Sequence, residues 1–244
     1  MANDDHKSLD IFGIRPVADA VSSITKAAVD GASAFLGRIC LPAAEEFGQL
    51  LQDKVRVWRA RNAVALLGEA QTRLDKHQTD RGLHAHPRLV AAALEQGTWS
   101  DDKTIQEMWG GLLASSCTPD GRDEGNLIFT NLLSQLTSLQ ARVLNFACEK
   151  TEKEVSPTGL ISPTHDLRIS VTELRIVAGV EDIHRLDTEL DRLRGLGLIT
   201  DGFSPEGPLV GLTATALAMN MYVKCQGFPG TAAEYFKLSS SRSD

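Results

Sequence analysis

The sequence predicts a mainly α-helical protein that ends in a winged helix-turn-helix-like module with a small β-wing. Apolar residues recur every three or four positions through most of the 244 residues, which is the period of amphipathic helices. A helix-start signature and a glycine turn separate two such helices in the C-terminal half. Asp201-Gly202 follows the second of them and predicts a hairpin-type turn. Together these three observations indicate a helical chain with one small wing.

Residues 1–96 are predicted to form an N-terminal helical region. Small and apolar residues at helical spacing run from Val17 to Leu36, and Pro42 suits the first turn of a longer helix. That helix contains a basic amphipathic segment, whose site residues are Lys54, Arg56, Trp58, Arg59 and Arg61. A helix of this kind can lie on anionic lipid with its tryptophan at the interface, or it can bind a protein partner. An ordinary bundle helix with a half-buried Trp58 and solvated arginines has the same pattern.

Residues 97–137 are predicted to form a central helical pair. Asp101 and Asp102 suit a helix N-terminus, where carboxylates are favoured. An apolar stripe follows, and Pro119-Asp120-Gly121 is typical of a turn. A second apolar stripe over 127–136 predicts the other helix of the pair.

Residues 138–226 are predicted to form the winged-helix-like module. An apolar-periodic helix comes first, and Ser170-Val171-Thr172-Glu173 then has the pattern of a capping box that opens a short helix through Ala178. Gly179 makes the turn into a third helix with Ile183, Leu186, Leu190, Leu193 and Leu196 on one face. A last apolar helix completes the module. Residues 227–244 lose this periodicity and are predicted to be a flexible tail.

Charge disfavours nucleic acid as the partner of this module. The third helix carries five carboxylates, and residues 134–226 hold nine Lys and Arg against twelve Asp and Glu. Each carboxylate that faces a phosphate repels it and releases no counterion. The fold is therefore expected to contact protein. The alternative, a winged-helix DNA-binding transcriptional regulator, would need Arg185, Arg192 and Arg194 for its phosphate and base contacts.

No motif in the sequence identifies a reaction. The four cysteines are far apart and lack zinc-ligand spacing, so we interpret them as reduced thiols and expect no metal. The familiar hydrolase, metalloprotease, phosphate-loop and dinucleotide motifs are absent, so we expect no catalytic residues, no cofactor and no small-molecule substrate. An enzyme assembled from His84, His86 and Cys117 in three dimensions remains a third option.

The N-terminal sequence and the overall charge indicate a cytoplasmic protein. Met1-Ala2-Asn3-Asp4-Asp5 lacks the basic-then-apolar order of a signal peptide, and charged residues interrupt every apolar run. The net charge is −7, so no global field attracts phosphate. Peripheral contact with the inner membrane, through the basic segment, remains open.

One block of the sequence resembles a known family. Residues 97–116 contain Gln106-Glu107-Met108-Trp109, then Leu112-Leu113-Ala114, and a Pro-Asp-Gly turn follows shortly afterwards. This order is similar to that of the bacterial abortive-infection alpha family, and the similarity extends over residues 45–225. We take Trp99, Trp109, Leu112 and Leu113 as the core of the motif. The resemblance implies a role in phage defence and brings no catalytic residues.

The leading hypothesis is therefore a non-enzymatic anti-phage defence protein. It would act through contacts with a protein partner or by self-association, with the membrane surface as a further contact. The regulator described above is the alternative.

Overall fold

A computed structural model describes residues 26–40, 43, 54–77, 82–204 and 207–240. Helices dominate these residues, and the strands form three two-stranded antiparallel sheets, so the prediction of a mainly α-helical fold is confirmed. The chain divides into two compact units, and the division falls between Thr130 and Asn131. This position lies inside the segment that we predicted to be a central helical pair.

Within its described residues, the first unit is built around four helices. These are α1 (Lys26–Ile39), α2 (Lys54–His77), α3 (Pro87–Gln96) and α4 (Lys103–Ser115). A short antiparallel pair, β1 (His84–Ala85) with β2 (Cys117–Thr118), joins the start of α3 to the end of α4. A further helix, α5 (Leu127–Leu133), spans the division between the units.

Helices α2 and α4 form the centre of the first unit. Gly110 of α4 lies directly against α2, because a Cβ atom built there would be 2.6 Å from Glu69 Cβ and 2.8 Å from the Leu66 carbonyl oxygen. Only glycine allows the two backbones to approach this closely. The apolar α2 side chains that are buried include Ala60, Ala63, Leu66, Leu67, Ala70 and Leu74.

Side-chain caps start both α3 and α4. His86 precedes Pro87 at the start of α3, and its Nδ1 accepts a hydrogen bond from the Arg88 N–H at 3.3 Å. Asp102 caps α4 by accepting from the Ile105 N–H at 3.2 Å. The predicted helix start at the Asp101-Asp102 pair is therefore confirmed, with Asp102 as the capping residue.

The second unit contains five helices in addition to the end of α5, counted over the described residues. Two of them, α6 (Ser138–Lys150) and α7 (Val171–Ala178), precede the turn at Gly179, and α8 (Ile183–Gly195) follows that turn. The last two are α9 (Ala216–Cys225) and α10 (Ala232–Ser240). The strands form a hairpin of β3 (Lys153–Val155) with β4 (Ile161–Pro163), and a pair of β5 (Arg168–Ser170) with β6 (Leu209–Gly211).

The start and end of α7 agree with the sequence. Ser170 Oγ accepts a hydrogen bond from the Glu173 N–H at 3.1 Å, as the predicted N-terminal cap requires. Gly179 ends the helix in the left-handed region at φ 68°, where a side chain would be strained. In α8, Leu186, Leu190 and Leu193 are buried as predicted, but Ile183 is 39% exposed.

The wing departs from the predicted turn at Asp201-Gly202. Both residues belong to a paired segment, because Gly202 accepts a hydrogen bond from the Gly211 N–H at 3.0 Å and Phe203 bridges to Val210. The Asp201 carboxylate accepts from the Thr200 and Thr213 hydroxyl groups at 2.9 and 3.3 Å. Asp201 and Gly202 are therefore part of the paired segment and do not form the predicted turn. The element order is the one that the winged-helix interpretation needs, and that interpretation stays a prediction.

The segment after Gly227 contains a helix where we expected a flexible tail. Helix α10 begins after a reciprocal cap, in which Glu234 accepts from the Thr231 N–H at 2.8 Å and Thr231 Oγ1 accepts from the Glu234 N–H at 3.2 Å. Its Tyr235 and Phe236 rings pack on Tyr222 of α9, each with 6.3 Å between centroids. Aromatic packing therefore orders this segment despite its weak periodicity.

Candidate functional site

The most distinctive surface of the first unit is an exposed tryptophan at the end of α3. A single 3₁₀ turn, Gly97–Trp99, follows the helix. Gly97 is buried, and a Cβ atom there would be 2.7 Å from Leu66 Cδ1 and 2.8 Å from Trp109 Cγ. This tight passage fixes the turn against the core and leaves Trp99 at its outer end. Trp99 is 56% exposed, whereas Trp109 is 2% exposed.

Arg59 of α2 holds this turn in place. Its Nε donates to Thr98 Oγ1 at 2.9 Å, and its Nη2 donates to the carbonyl oxygens of Leu94 and Glu95, each at 3.2 Å. These carbonyls lie in the last turn of α3, where the helix dipole favours a cation. The guanidinium carbon also lies 4.5 Å from the centroid of the Trp99 ring, which is a cation–π contact.

Two buried polar residues, Thr98 and Asn62, hold the same turn by hydrogen bonds on its core side. Thr98 is fully buried, and its hydroxyl group donates to the Leu94 carbonyl oxygen at 2.7 Å. Asn62, which is also buried, donates from Nδ2 to the Thr98 carbonyl oxygen at 2.9 Å. Loss of the Asn62 bond would take a buried amide group away from its acceptor, which costs about 1–3 kcal/mol. These bonds fix the backbone of the turn that carries Trp99.

Trp58 completes the surface. Its ring centroid lies 6.4 Å from that of Trp99, with an angle of 53° between the ring planes. We call Trp58, Arg59 and Trp99 the tryptophan platform. Tryptophan and arginine are enriched among the residues that dominate the binding energy of protein interfaces. Fixed rings also lose little conformational entropy when a partner binds.

The platform brings together two residues of the predicted basic segment and one of the family motif. Arg61 is exposed on α2. The side chains of Lys54 and Arg56 lie outside the part of the chain that the structure describes. The guanidinium of Arg59 is directed towards α3, which differs from the solvated or lipid-facing position that the segment suggested. Trp58 is half-buried.

The other motif residues are core residues. Trp109, Leu112 and Leu113 are each at most 2% exposed, and they line the same side of α4. Trp99 is the exception among the four. The motif thus contains three residues that form the core and one that the fold displays to solvent.

The three arginines of the DNA-binding alternative all contact groups of their own unit. Arg192 Nη2 donates to Gln135 Oε1 at 2.6 Å, and Arg194 Nη2 donates to Asp191 Oδ1 at 2.6 Å. Arg185 Nε lies 3.9 Å from Glu189 Oε1. Binding to phosphate would have to compete with these contacts, so nothing in the geometry favours the regulator.

The option of a hidden enzyme receives no support from Cys117. Its thiol is buried and donates to the Leu113 carbonyl oxygen at 3.5 Å. Burial raises the pKa of this thiol to about 12, so it is protonated at neutral pH and is a poor nucleophile. Cys117 pairs with Ala85 in the β1–β2 ladder, next to His84 and His86. Among the described residues, no group of three or more His, Cys, Asp or Glu could hold a metal ion.

Thr98 and Asn62 hold the turn of the candidate site in place, and the sequence alone did not indicate them. They carry no motif of their own, since Asn62 lies 36 positions before Thr98 and the two meet only when α2 packs on α3. The one available signal was a polar residue, Asn62, on the otherwise apolar face of α2.

The sequence was compared with models of known protein families. A family model described as abortive infection alpha matches residues 62–209, which is more than half of the chain. No curated protein and no solved structure matches the sequence. Within the residues that the structure describes, no helix is both long enough and apolar enough to cross a membrane.

Proposed function

The chain belongs to the abortive infection alpha family, and on this premise we propose that it is a non-enzymatic anti-phage defence protein that binds a protein partner through the tryptophan platform. The observation that supports this proposal most directly is the exposure of Trp99. Its ring is 56% exposed, although hydrogen bonds fix the turn that carries it. An exposed tryptophan that is held rigidly suits an interface anchor. Trp99, Thr98 and Asn62 lie within the matched residues, and Trp58 and Arg59 lie just before them.

The described residues favour a role in binding a partner over a role in catalysis. The Cys117 thiol is buried and protonated at neutral pH. The exposed surface, by contrast, offers an aromatic group whose orientation is already determined. We therefore assign the defence role to recognition, with either another protein or a second copy of the chain as the partner.

The test is phage plating on bacteria that express the full chain together with its native neighbouring genes. The unmodified chain is expected to lower plating efficiency and to cause death of the infected cells. Trp99→Ala should restore plating to the level of cells without the chain, because loss of an anchor tryptophan costs about 2 kcal/mol or more of binding free energy.

Ile128→Ala is the matched control. Ile128 is an exposed apolar residue of the same unit, at 52%, and lies outside the platform. It should leave protection intact. Both variants are compared with the unmodified chain by thermal melting and expression level. If folded Trp99→Ala protected as well as the unmodified chain, the platform would have no role. If the unmodified chain protected against no phage of a broad panel, the defence role itself would fail.

A further inference from the structure

We propose that Arg59 is the positioning residue of the tryptophan platform, and that its guanidinium holds the Trp99 ring in the orientation in which a partner binds it. This inference rests on the proposed function, since it concerns how the same surface is kept ready for binding. The hydrogen bonds around Thr98 fix the backbone of the turn. They do not fix the two side-chain torsion angles of Trp99, so the ring needs a contact of its own.

Core packing does not hold the Trp99 ring. The residue is 56% exposed, whereas Trp109 is 2% exposed. Over the part of the chain that the structure describes, the ring contacts of Trp99 are with Trp58 and Arg59. The Trp58 ring is tilted by 53° at a centroid separation of 6.4 Å. The guanidinium carbon of Arg59 lies 4.5 Å from the Trp99 centroid, which is well inside the reach of a cation–π contact. Arg59 is therefore the closer of the two contacts.

The guanidinium of Arg59 is itself held in place. Its Nε donates to Thr98 Oγ1 at 2.9 Å, and its Nη2 donates to the carbonyl oxygens of Leu94 and Glu95, each at 3.2 Å. Three hydrogen bonds from one planar group determine both the position of that group and the direction of its plane. The Trp99 ring thus lies against a fixed surface, and the same guanidinium ties the ring to the backbone of its own turn.

This geometry makes the shape of the guanidinium as important as its charge. Lysine at position 59 would keep the positive charge, but its ammonium group is a point charge on a flexible stem and cannot form the planar fork. A ring that is already fixed loses less conformational entropy when a partner binds. Release of the Trp99 ring should therefore weaken partner binding by about twofold to tenfold, which corresponds to the ordering of one large side chain.

The motion of the indole N–H groups tests the inference. In the full chain labelled with 15N, each of the three tryptophans gives one indole signal, and Trp58→Phe and Trp99→Phe identify two of them. We expect an order parameter of about 0.85 for Trp99 in the unmodified chain and a value below about 0.6 in Arg59→Ala. The Trp109 signal is the internal control, because a general loss of structure would change it as well.

Two further variants separate the contact from the charge. Arg122→Ala removes an exposed arginine of the same unit that lies outside the platform, and it should leave the Trp99 ring fixed. Arg59→Lys should release the ring although the charge is kept, and it decides the question if Arg59→Ala does not fold. A mobile Trp99 ring in the unmodified chain or in Arg122→Ala would overturn the inference. A fixed ring in Arg59→Ala or in Arg59→Lys would do the same.

Phage plating then relates the ring to the proposed function. Arg59→Ala should protect less than the unmodified chain and more than Trp99→Ala, and Arg122→Ala should protect fully. If the ring were mobile in Arg59→Ala while protection stayed full, and Trp99→Ala still abolished it, binding would not need a fixed ring and the inference would be wrong. If Trp99→Ala protected fully, the proposed function would fail, whereas the relaxation measurement would still decide whether Arg59 holds the ring.

Discussion

At the scale of single residues, Cys117 shows how burial changes the chemistry of a side chain. Its position after α4 places the thiol in the core of the first unit, and the pKa rises from an ordinary 9.0 to about 12 because the thiolate would lose its hydration. The nearby positive charge of Arg38 lowers the pKa and offsets only part of this effect. A cysteine that sequence alone leaves open as a nucleophile is thus a packing residue.

This raised pKa predicts a loss of stability at alkaline pH. Below pH 9.0 the thiol is neutral in both the folded and the unfolded chain. Above that pH the unfolded chain ionises while the folded chain does not, so the free energy of unfolding falls as the pH rises towards 12. Replacement by alanine removes this contribution, which amounts to at most about 1.4 kcal/mol per pH unit.

Urea unfolding between about pH 8 and about pH 10 measures the effect. The unmodified chain should lose stability more steeply than Cys117→Ala over this interval. Burial also raises the pKa of Cys148 and Tyr222, but both groups are present in both proteins and cancel in the comparison. Parallel slopes for the two proteins would show that Cys117 ionises as readily in the folded chain as in the unfolded one.

At the scale of elements, the crossing of α2 and α4 depends on one glycine. Gly110→Ala should destabilise the chain by about 1–3 kcal/mol, because the new methyl group would meet the α2 backbone and force the helices apart. Alanine is the better helix former by about 1 kcal/mol, so helix propensity alone predicts the opposite sign. A Cβ atom at position 110 would lie 2.6 Å from Glu69 Cβ and 2.8 Å from the Leu66 carbonyl oxygen. Because these distances are too short for a methyl group, we expect the steric cost to outweigh the gain in helix propensity.

Gly68 of α2 provides the matched control. It is exposed in the same helix pair, and a Cβ atom there would have nothing within 4 Å. Gly68→Ala should therefore stabilise the chain by about 0.5–1 kcal/mol. The midpoints of thermal unfolding of the two variants should move in opposite directions from that of the unmodified chain. A shift in the same direction for both would mean that propensity, and not the close approach, determines the effect.

The elements also show what sequence reasoning can and cannot reach. The cap at Ser170, the end of α7 at Gly179 and the buried leucines of α8 are local patterns, and the sequence predicts them well. The start of α10 has an equally local signature in Thr231 and Glu234, which we overlooked because the apolar spacing after Gly227 is weak. The extended conformation of Asp201 depends on Thr213, which lies twelve positions away.

The candidate site was predicted only in pieces. The sequence predicts Trp58 and Arg59 as part of a basic amphipathic helix, and it predicts Trp99 as part of the family motif. Their association depends on α2 packing against the end of α3, about forty positions along the chain. The spacing of apolar residues along the sequence does not indicate which helices pack against each other. The exposure of Trp99 was also unpredictable, since an apolar motif does not indicate which of its members faces solvent.

At the scale of the whole molecule, the division after Thr130 predicts that the second half folds alone. Residues 131–244 contain a buried core of their own, which includes Leu144, Leu174, Leu190 and Met219. They also keep both partners of the bond between Arg192 and Gln135. A segment with its own core is expected to fold as a domain.

Expression of residues 131–244 tests this division. The fragment should give a helical circular dichroism spectrum and one cooperative thermal transition, and it should resist protease. A matched fragment with Leu190→Ala should melt at a lower temperature, because removal of a buried leucine side chain costs about 2–5 kcal/mol. A fragment that is unfolded at room temperature would show that this half of the chain depends on the other.

The positions of the three tryptophans have an optical consequence. Trp58, Trp99 and Trp109 are the only tryptophans of the chain, and all three precede the division at Thr130. Tryptophan fluorescence therefore comes only from the first unit, because the second unit contains no tryptophan. Within that half, acrylamide should quench the solvated ring of Trp99 and spare the enclosed ring of Trp109. A single fluorescence experiment can thus follow the tryptophan platform and the core of the first unit as separate signals.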